Sequence, residues 1–329
     1  MPSLRATGCL LALAYGDALG APTEFMTVDE IVARYGPEGP RKLDGDPALI
    51  TDDTQMTLAV ARALRDVPPE PDRVEQALRQ HFVEWWASPD NNRAPGMTCL
   101  AACEKLADGL PWIQSTGTSS KGCGANMRVA PVGLLTRIDD AVRAGLAQLQ
   151  SALTHGHPTA LAASELTAFA IHWLRGGMPV DDVLDALRQR CADQRTTYHS
   201  EWLGELWQRP GVDDPADFIA RGWDECLGAL DAVVAADPDP AVDPCLATGE
   251  GWIAEEALAT ALHCFLMFRD DDVVAMLGRA ATTSCDSDSI ACLAGAFAGA
   301  AYGADAWPEE WVERIEHGDE LVAFGRLWD

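Results

Sequence analysis

Two short acidic runs are the part of this 329-residue sequence best equipped for chemistry. The first is Thr51-Asp52-Asp53-Thr54 and the second is Asp286-Ser287-Asp288-Ser289. Both offer only oxygen donors, carboxylates and hydroxyls. That set selects hard cations such as Mg²⁺ or Mn²⁺, whereas zinc would select Cys and His. Four carboxylates drawn together repel one another unless cations lie between them. A two-cation centre at such a point holds a substrate and acidifies water. Each run also reads as helix capping: Asp52 with Gln55 three residues on fits a capping box, and Asp286 fits an N-cap. Taken singly, capping is the commoner use, and the sequence alone does not say whether the two runs meet.

Other residues are weaker signals. Gly122-Cys123-Gly124 lies in a Ser/Thr/Gly-rich stretch, and its glycines would let backbone N–H groups approach a phosphate; an ordinary turn reads the same way. His155, shortly before Pro158, suits capping or packing as well as ligand contact. Trp252 suits stacking on a ligand or a place in the core. The ten cysteines form no Cys-x-x-Cys pair and no zinc spacing, which points to reduced thiols and a cytoplasmic setting.

The elements that must position these groups are helical. Met56, Val60, Ala63 and Leu64 share one face after Thr54, as do Ala162, Leu166, Phe169, Ala170 and Trp173, and Leu258, Ala261, Leu262, Phe265 and Leu266. Residues 290–301 are rich in Ala and Gly, which allows close helix contact. No train of alternating strands is present, so the expectation is one all-α domain over residues 1–329. Residues 34–50, 115–126 and 235–251 read as irregular. No internal repeat is evident.

Composition narrows the classes. Hydrophobic residues make up 48% of the chain, enough for a core. A net charge of −27 argues against tracking nucleic-acid phosphates and reads as solubility. An anionic substrate would then need cations or backbone N–H groups. No apolar run is long enough to span a membrane. Arg5 and the apolar residues 9–14 faintly resemble a signal peptide, but Gly16-Asp17 interrupts them, and the expectation is an uncleaved, cytoplasmic chain.

In order along the chain, six blocks resemble the ADP-ribosyl-glycohydrolase family, which includes the dinitrogenase-reductase-activating glycohydrolases. They are Gly16-Asp17-Ala18-Leu19-Gly20 with Glu24; residues 51–54; Gly122-Cys123-Gly124-Ala125-Asn126-Met127-Arg128 with Pro131; Thr154-His155-Gly156-His157-Pro158; Gly251-Trp252-Ile253-Ala254-Glu255-Glu256; and Asp286-Ser287-Asp288-Ser289-Ile290. The resemblance implies an orthogonal all-α bundle with a binuclear site of two divalent cations, Mg²⁺ or Mn²⁺, on Thr51, Asp52, Asp53, Asp286, Asp288 and Ser289. It implies Glu24 and Asp53 as catalytic residues, Ser120, Gly122, Cys123, Gly124, His155 and Trp252 as substrate contacts, and a mainly structural Asp17.

The activity implied is release of ADP-ribose from an ADP-ribosylated protein or small molecule, an arginine-type linkage favoured, by attack at the anomeric carbon of the distal ribose. The alternative is a non-catalytic ADP-ribose-binding or immunity/interaction protein on the same fold; Trp202, Trp207 and Trp223 could serve it as a partner surface, though core is the commoner place for such residues. Three departures from the family pattern bear on affinity: Cys123 where asparagine is usual, Ser284-Cys285 where two glycines are usual, and Ser287 and Ser289 where threonines are common.

Overall fold

The small residues of the first helix, Arg5–Gly20, set the architecture. A computed structural model describes residues 4–269 and 272–329. Among these residues there are eighteen α-helices, three 3-10 turns and no strand, only isolated bridges. The all-α expectation therefore holds. The helix Asp52–Arg65 follows the first acidic run, and Pro158–Arg175, Ala254–Met267 and Ser287–Tyr302 cover the other three apolar patterns. Among the described residues no helix is long and apolar enough to cross a membrane.

Arg5–Gly20 runs through the middle of one continuous core, buried on nearly every side, against the equally buried Ser287–Tyr302. Backbone meets backbone there. A β-carbon added to Gly16 would lie 2.0 Å from the carbonyl oxygen of Ala291, and one on Gly20 would lie 2.4 Å from Cα of Asp288. Only glycine permits that approach, so the second acidic run is pinned to the end of the first helix.

One detail departs from the sequence reading, and a second decides between its two uses of the tryptophans. The N-cap of Asp52–Arg65 is Thr51, whose hydroxyl accepts from the N–H of Asp53; Asp52 is the first helical residue, and no capping box forms. Trp223 is fully buried and Trp202 is 8% exposed, so they are core, not a partner surface. Trp202 packs against Gly145 with no room for a side chain there.

The irregular segment ahead of Thr51 is held from outside. Ala48 exchanges backbone bonds with Arg314 and Glu316 at 2.7 and 2.9 Å. Arg93 donates to the Ile50 carbonyl at 2.7 Å and pairs with Glu316. The path into the acidic helix start is thus fixed on two sides.

Candidate active site

The two acidic runs meet. Asp52, Asp53, Asp286, Asp288 and Ser289 line one cavity of about 310 Å³, together with Glu24, Gly122, Cys123, Gly124, His155 and Trp252. Its size lies at the small end of ligand pockets. Carboxylate oxygens of Glu24, Asp286 and Asp288 lie within 4.8 Å of one another. Asp52 and Asp53 line the same cavity from the other helix start. Both N-termini direct their partial positive charge at this point, which favours anions there.

Asp17 organises the first run. Its carboxylate, fully buried, accepts from the Thr51 N–H at 3.0 Å, the Thr51 hydroxyl at 2.8 Å, the Thr54 N–H at 3.1 Å and the Thr54 hydroxyl at 2.5 Å. It does the capping from outside the helix and leaves Asp52 and Asp53 free to face the cavity. Thr51 does not line this cavity; its hydroxyl donates to Asp17 and accepts the Asp53 N–H at 3.4 Å, which leaves one oxygen lone pair. Asp286 stands at the N-cap of its helix but makes no side-chain capping bond. Its carboxylate too is left for the site.

Electrostatics record the crowding. Burial first, and then the charge of Asp288, pushes Glu24 up to about 9 and Asp52 up to about 8. Asp53 and Asp286 are driven well above the carboxylate range by the same two causes. Asp17 rises to about 7, mainly through burial, against the pull of its hydrogen bonds. Oδ1 of Asp53 is buried without a hydrogen-bond partner. An orphaned carboxylate oxygen among mutually repelling carboxylates is a donor set that could hold a hard cation.

The glycine segment is braced by the residues around Trp252. Cys123 N–H donates to the Trp252 carbonyl at 3.0 Å, and Ala254 N–H to the Lys121 carbonyl at 2.8 Å. Cys123 therefore has no N–H to offer a ligand; among the described residues Gly124 donates to nothing and lines the cavity. Ser120 does not line it, but its hydroxyl pairs at 3.0 Å with that of Thr98, which does. Burial and the nearby Asp286 hold the Cys123 thiol well above its usual range, so it stays protonated.

His155 faces the glycines, while capping of Pro158–Arg175 falls to His157, whose side chain accepts from the Thr159 N–H. Trp252 stacks on Phe25, ring centroids 5.6 Å apart. Phe25 is 70% exposed and has a φ of 65°. Sequence reasoning missed it; a left-handed phenylalanine leaves no trace in composition or spacing. One face of the Trp252 ring is thus occupied by the chain itself.

The ADP-ribosylglycohydrolase family profile matches residues 2–329. Among curated relatives, the chain is 28% identical over 323 residues to the ADP-ribosyl-[dinitrogen reductase] glycohydrolase of Rhodospirillum rubrum, covering 95% of this chain and 90% of that one. It is 27% identical to the ADP-ribosylhydrolase ARH3 of Homo sapiens, covering 96% and 90%. To the ADP-ribosylarginine hydrolase Tri1 of Pseudomonas putida it is 25% identical, covering 94% and 74%. Among solved structures, an ADP-ribosylglycohydrolase-related protein complex shares the fold with a TM-score of 0.70 at 24% identity, covering 98% of this chain and 96% of that one.

Proposed function

The chain belongs to the ADP-ribosylglycohydrolase family, and on that premise we propose that it is a metal-dependent enzyme releasing ADP-ribose from an ADP-ribosylated carrier, an arginine-linked protein foremost. It is a glycosidase-type hydrolase. The observation that carries the reading is the meeting of two helix starts and Glu24 on one cavity that also holds the glycine segment.

The donor set fits a hard cation: oxygen only, crowded, with the Asp53 Oδ1 orphaned. Asp52, Asp53, Asp286 and Asp288, with the hydroxyls of Thr51 and Ser289, would hold two divalent cations, Mg²⁺ or Mn²⁺. Such ions supply positive charge for the ribose hydroxyls and lower the pKa of water.

The remaining chemistry belongs to the chain. Gly124 N–H and His155 bind the diphosphate, and Trp252 with Phe25 walls the rim. The bond from the anomeric carbon to the carrier nitrogen breaks, and the transition state has oxocarbenium character. A water oxygen bonds to that carbon; one of its protons passes to Glu24 and on to the leaving nitrogen. Glu24 suits this because it is half-buried beside Asp288 and, among the described residues, its carboxylate has no partner outside the acidic cluster; neighbouring cations would favour the ionised carboxylate that takes the proton.

The deciding experiment incubates pure protein with arginine-linked, serine-linked and small-molecule ADP-ribosides, with and without EDTA, and follows released ADP-ribose. Release from the arginine carrier that EDTA abolishes is expected. No release from any carrier with Mg²⁺ or Mn²⁺ present would overturn the proposal.

A further inference from the structure

A buried chain of hydrogen bonds ends on the one histidine that faces the cavity. Arg128 is fully buried, its guanidinium 4.2 Å from the ring centre of Phe82. Its Nη2 donates to the Gln150 carbonyl at 2.7 Å and to the Thr154 hydroxyl at 2.8 Å. The Thr154 oxygen lies 2.9 Å from Nδ1 of His155. Among the described residues Nε2 of His155 has no hydrogen-bond partner, and it lies against the glycines: a β-carbon on Gly122 would come within 3.3 Å of it, and one on Gly124 within 3.5 Å.

The direction of each bond follows from what each group can do. Arginine only donates, so the Thr154 oxygen accepts from Arg128 and has one proton left to give. Two rival recipients are poorer: the Cys99 sulfur, beside the Thr154 side chain, is a weak acceptor, and the Ser151 carbonyl is badly placed. It lies 3.5 Å away and already accepts the N–H groups of Thr154 and His155 at 3.0 and 2.8 Å. His155 Nδ1, at 2.9 Å, is the better acceptor. A cationic guanidinium behind the threonine also favours a lone pair on Nδ1 over an N–H dipole pointing at it. The ring proton then sits on Nε2. Burial, with Arg128 adding to it, pulls His155 down to about 3, so the ring is neutral and carries that single proton.

We propose that Arg128 is a positioning residue: acting through Thr154, it locks His155 in the Nε2–H tautomer, so that a neutral donor points from beneath Gly122–Gly124 at an anionic oxygen of the ligand. The identity of that oxygen as a diphosphate oxygen rests on the functional reading above; the tautomer does not. The same guanidinium supports the segment a second way. Its Nε donates to Oε1 of Gln150 at 2.9 Å, and the Gln150 amide donates to the Ala125 carbonyl at 3.0 Å. Arg128 therefore fixes both the histidine and the backbone above it.

The test is nitrogen NMR of the His155 ring in ¹⁵N-labelled protein, paired with calorimetric titration of ADP-ribose. In ligand-free wild type, Nε2 should carry the directly bonded proton and Nδ1 should show the shift of an unprotonated ring nitrogen. Thr154→Val should mix or invert the tautomers and weaken ADP-ribose binding about tenfold, the worth of one well-placed bond to a charged group. Thr154→Ser, which keeps the hydroxyl, should restore both readouts. Because Arg128→Met risks the fold, the threonine pair carries the test. A wild-type ring protonated on Nδ1, or Thr154→Val leaving the spectrum unchanged, would overturn the relay. An Nε2–H ring in a protein that binds no ADP-ribose would support the relay and count against the functional reading alone.

Discussion

Asp17 accepts both the N–H and the hydroxyl of Thr54, at 3.1 and 2.5 Å, from a different helix. A carboxylate on the first helix thus helps cap the helix that starts in the first acidic run, and frees Asp52 and Asp53 from that duty. Asp17→Asn would place an amide N–H₂ against donors. Each buried donor left unpaired costs about 1–3 kcal/mol. The expected loss is at least that for one donor, read as a lower urea midpoint with unchanged slope. Thr54→Val, which removes only a hydroxyl, should cost less. Equal midpoints for wild type and Asp17→Asn would refute the capping role.

Gly20 tests the pinning of the second run. Gly20→Ala puts a β-carbon 2.4 Å from Cα of Asp288, against backbone that cannot yield cheaply. Overpacking of this kind costs about 1–3 kcal/mol, and the displaced Asp288 should lower metal affinity and turnover together. Gly228, in the helix Pro215–Ala235, has nothing within 4 Å of an added β-carbon. Gly228→Ala should instead stabilise slightly, by about 0.5–1 kcal/mol. Thermal melts of both variants check the contrast; an active, fully metal-loaded Gly20→Ala protein would refute it.

How far the sequence reaches is clear from these residues. The Ala/Gly content of 290–301 foretells close packing but not its partner, because small residues say only that something approaches. The positions of Asp52 and Asp286 at helix starts were legible, since acidic residues ahead of apolar periodicity mark an N-terminus. Which residue caps was not: Asp17 lies far off in the chain, and only the fold brings it to Thr51 and Thr54. Ser120 lies in the glycine-rich stretch, and its hydroxyl pairs with that of Thr98 on the cavity wall, a neighbour the sequence does not indicate. Arg128 and Thr154 lie inside two quoted blocks, but a hydrogen-bonded relay between them leaves no pattern in either.

Asp288 should reverse sign with conditions. It is the leading charge that raises Asp52, Asp53 and Glu24. Asp288→Asn keeps an acceptor for the Ser289 N–H, which its carboxylate takes at 3.0 Å. In EDTA the variant should melt higher than wild type, because a like charge has been removed. With Mg²⁺ it should melt lower and turn over more than ~100-fold slower, since metal catalysis is worth several kcal/mol. Identical melts in both conditions, or full activity, would remove Asp288 from the site.

Stability should depend on pH in a way that cations cancel. Carboxylates raised to about 7, 8 and 9 at Asp17, Asp52 and Glu24 bind protons in the metal-free folded state at a pH where the unfolded chain has released them. Their contribution is therefore present below the ordinary carboxylate range and is lost as pH rises through 7 to 9. Cations displace those protons and restore the stability. The melting temperature with Mg²⁺ minus that with EDTA should widen from pH 6 to pH 9, a difference in which groups elsewhere cancel. A gap that is flat or narrows would contradict the clustered site.

Glu24 separates chemistry from binding. It follows the first helix by a few residues, in the turn after Gly20, and its carboxylate reaches within 4.8 Å of those of Asp286 and Asp288. Proximity alone would let it ligate a cation; the proposal gives it a proton instead. Glu24→Gln keeps the shape and removes the basicity. Losing a general base costs ~10² to 10⁴ in rate, so single-turnover cleavage of an ADP-ribosylated carrier should slow by that range. Metal content and ADP-ribose affinity should hold, because Gly124, His155 and the four aspartates are untouched. Slow cleavage with intact binding and metal supports the proton role. Unchanged cleavage makes Glu24 a bystander. Loss of metal along with cleavage makes it a ligand, and the proton must then be sought on another group of the cavity.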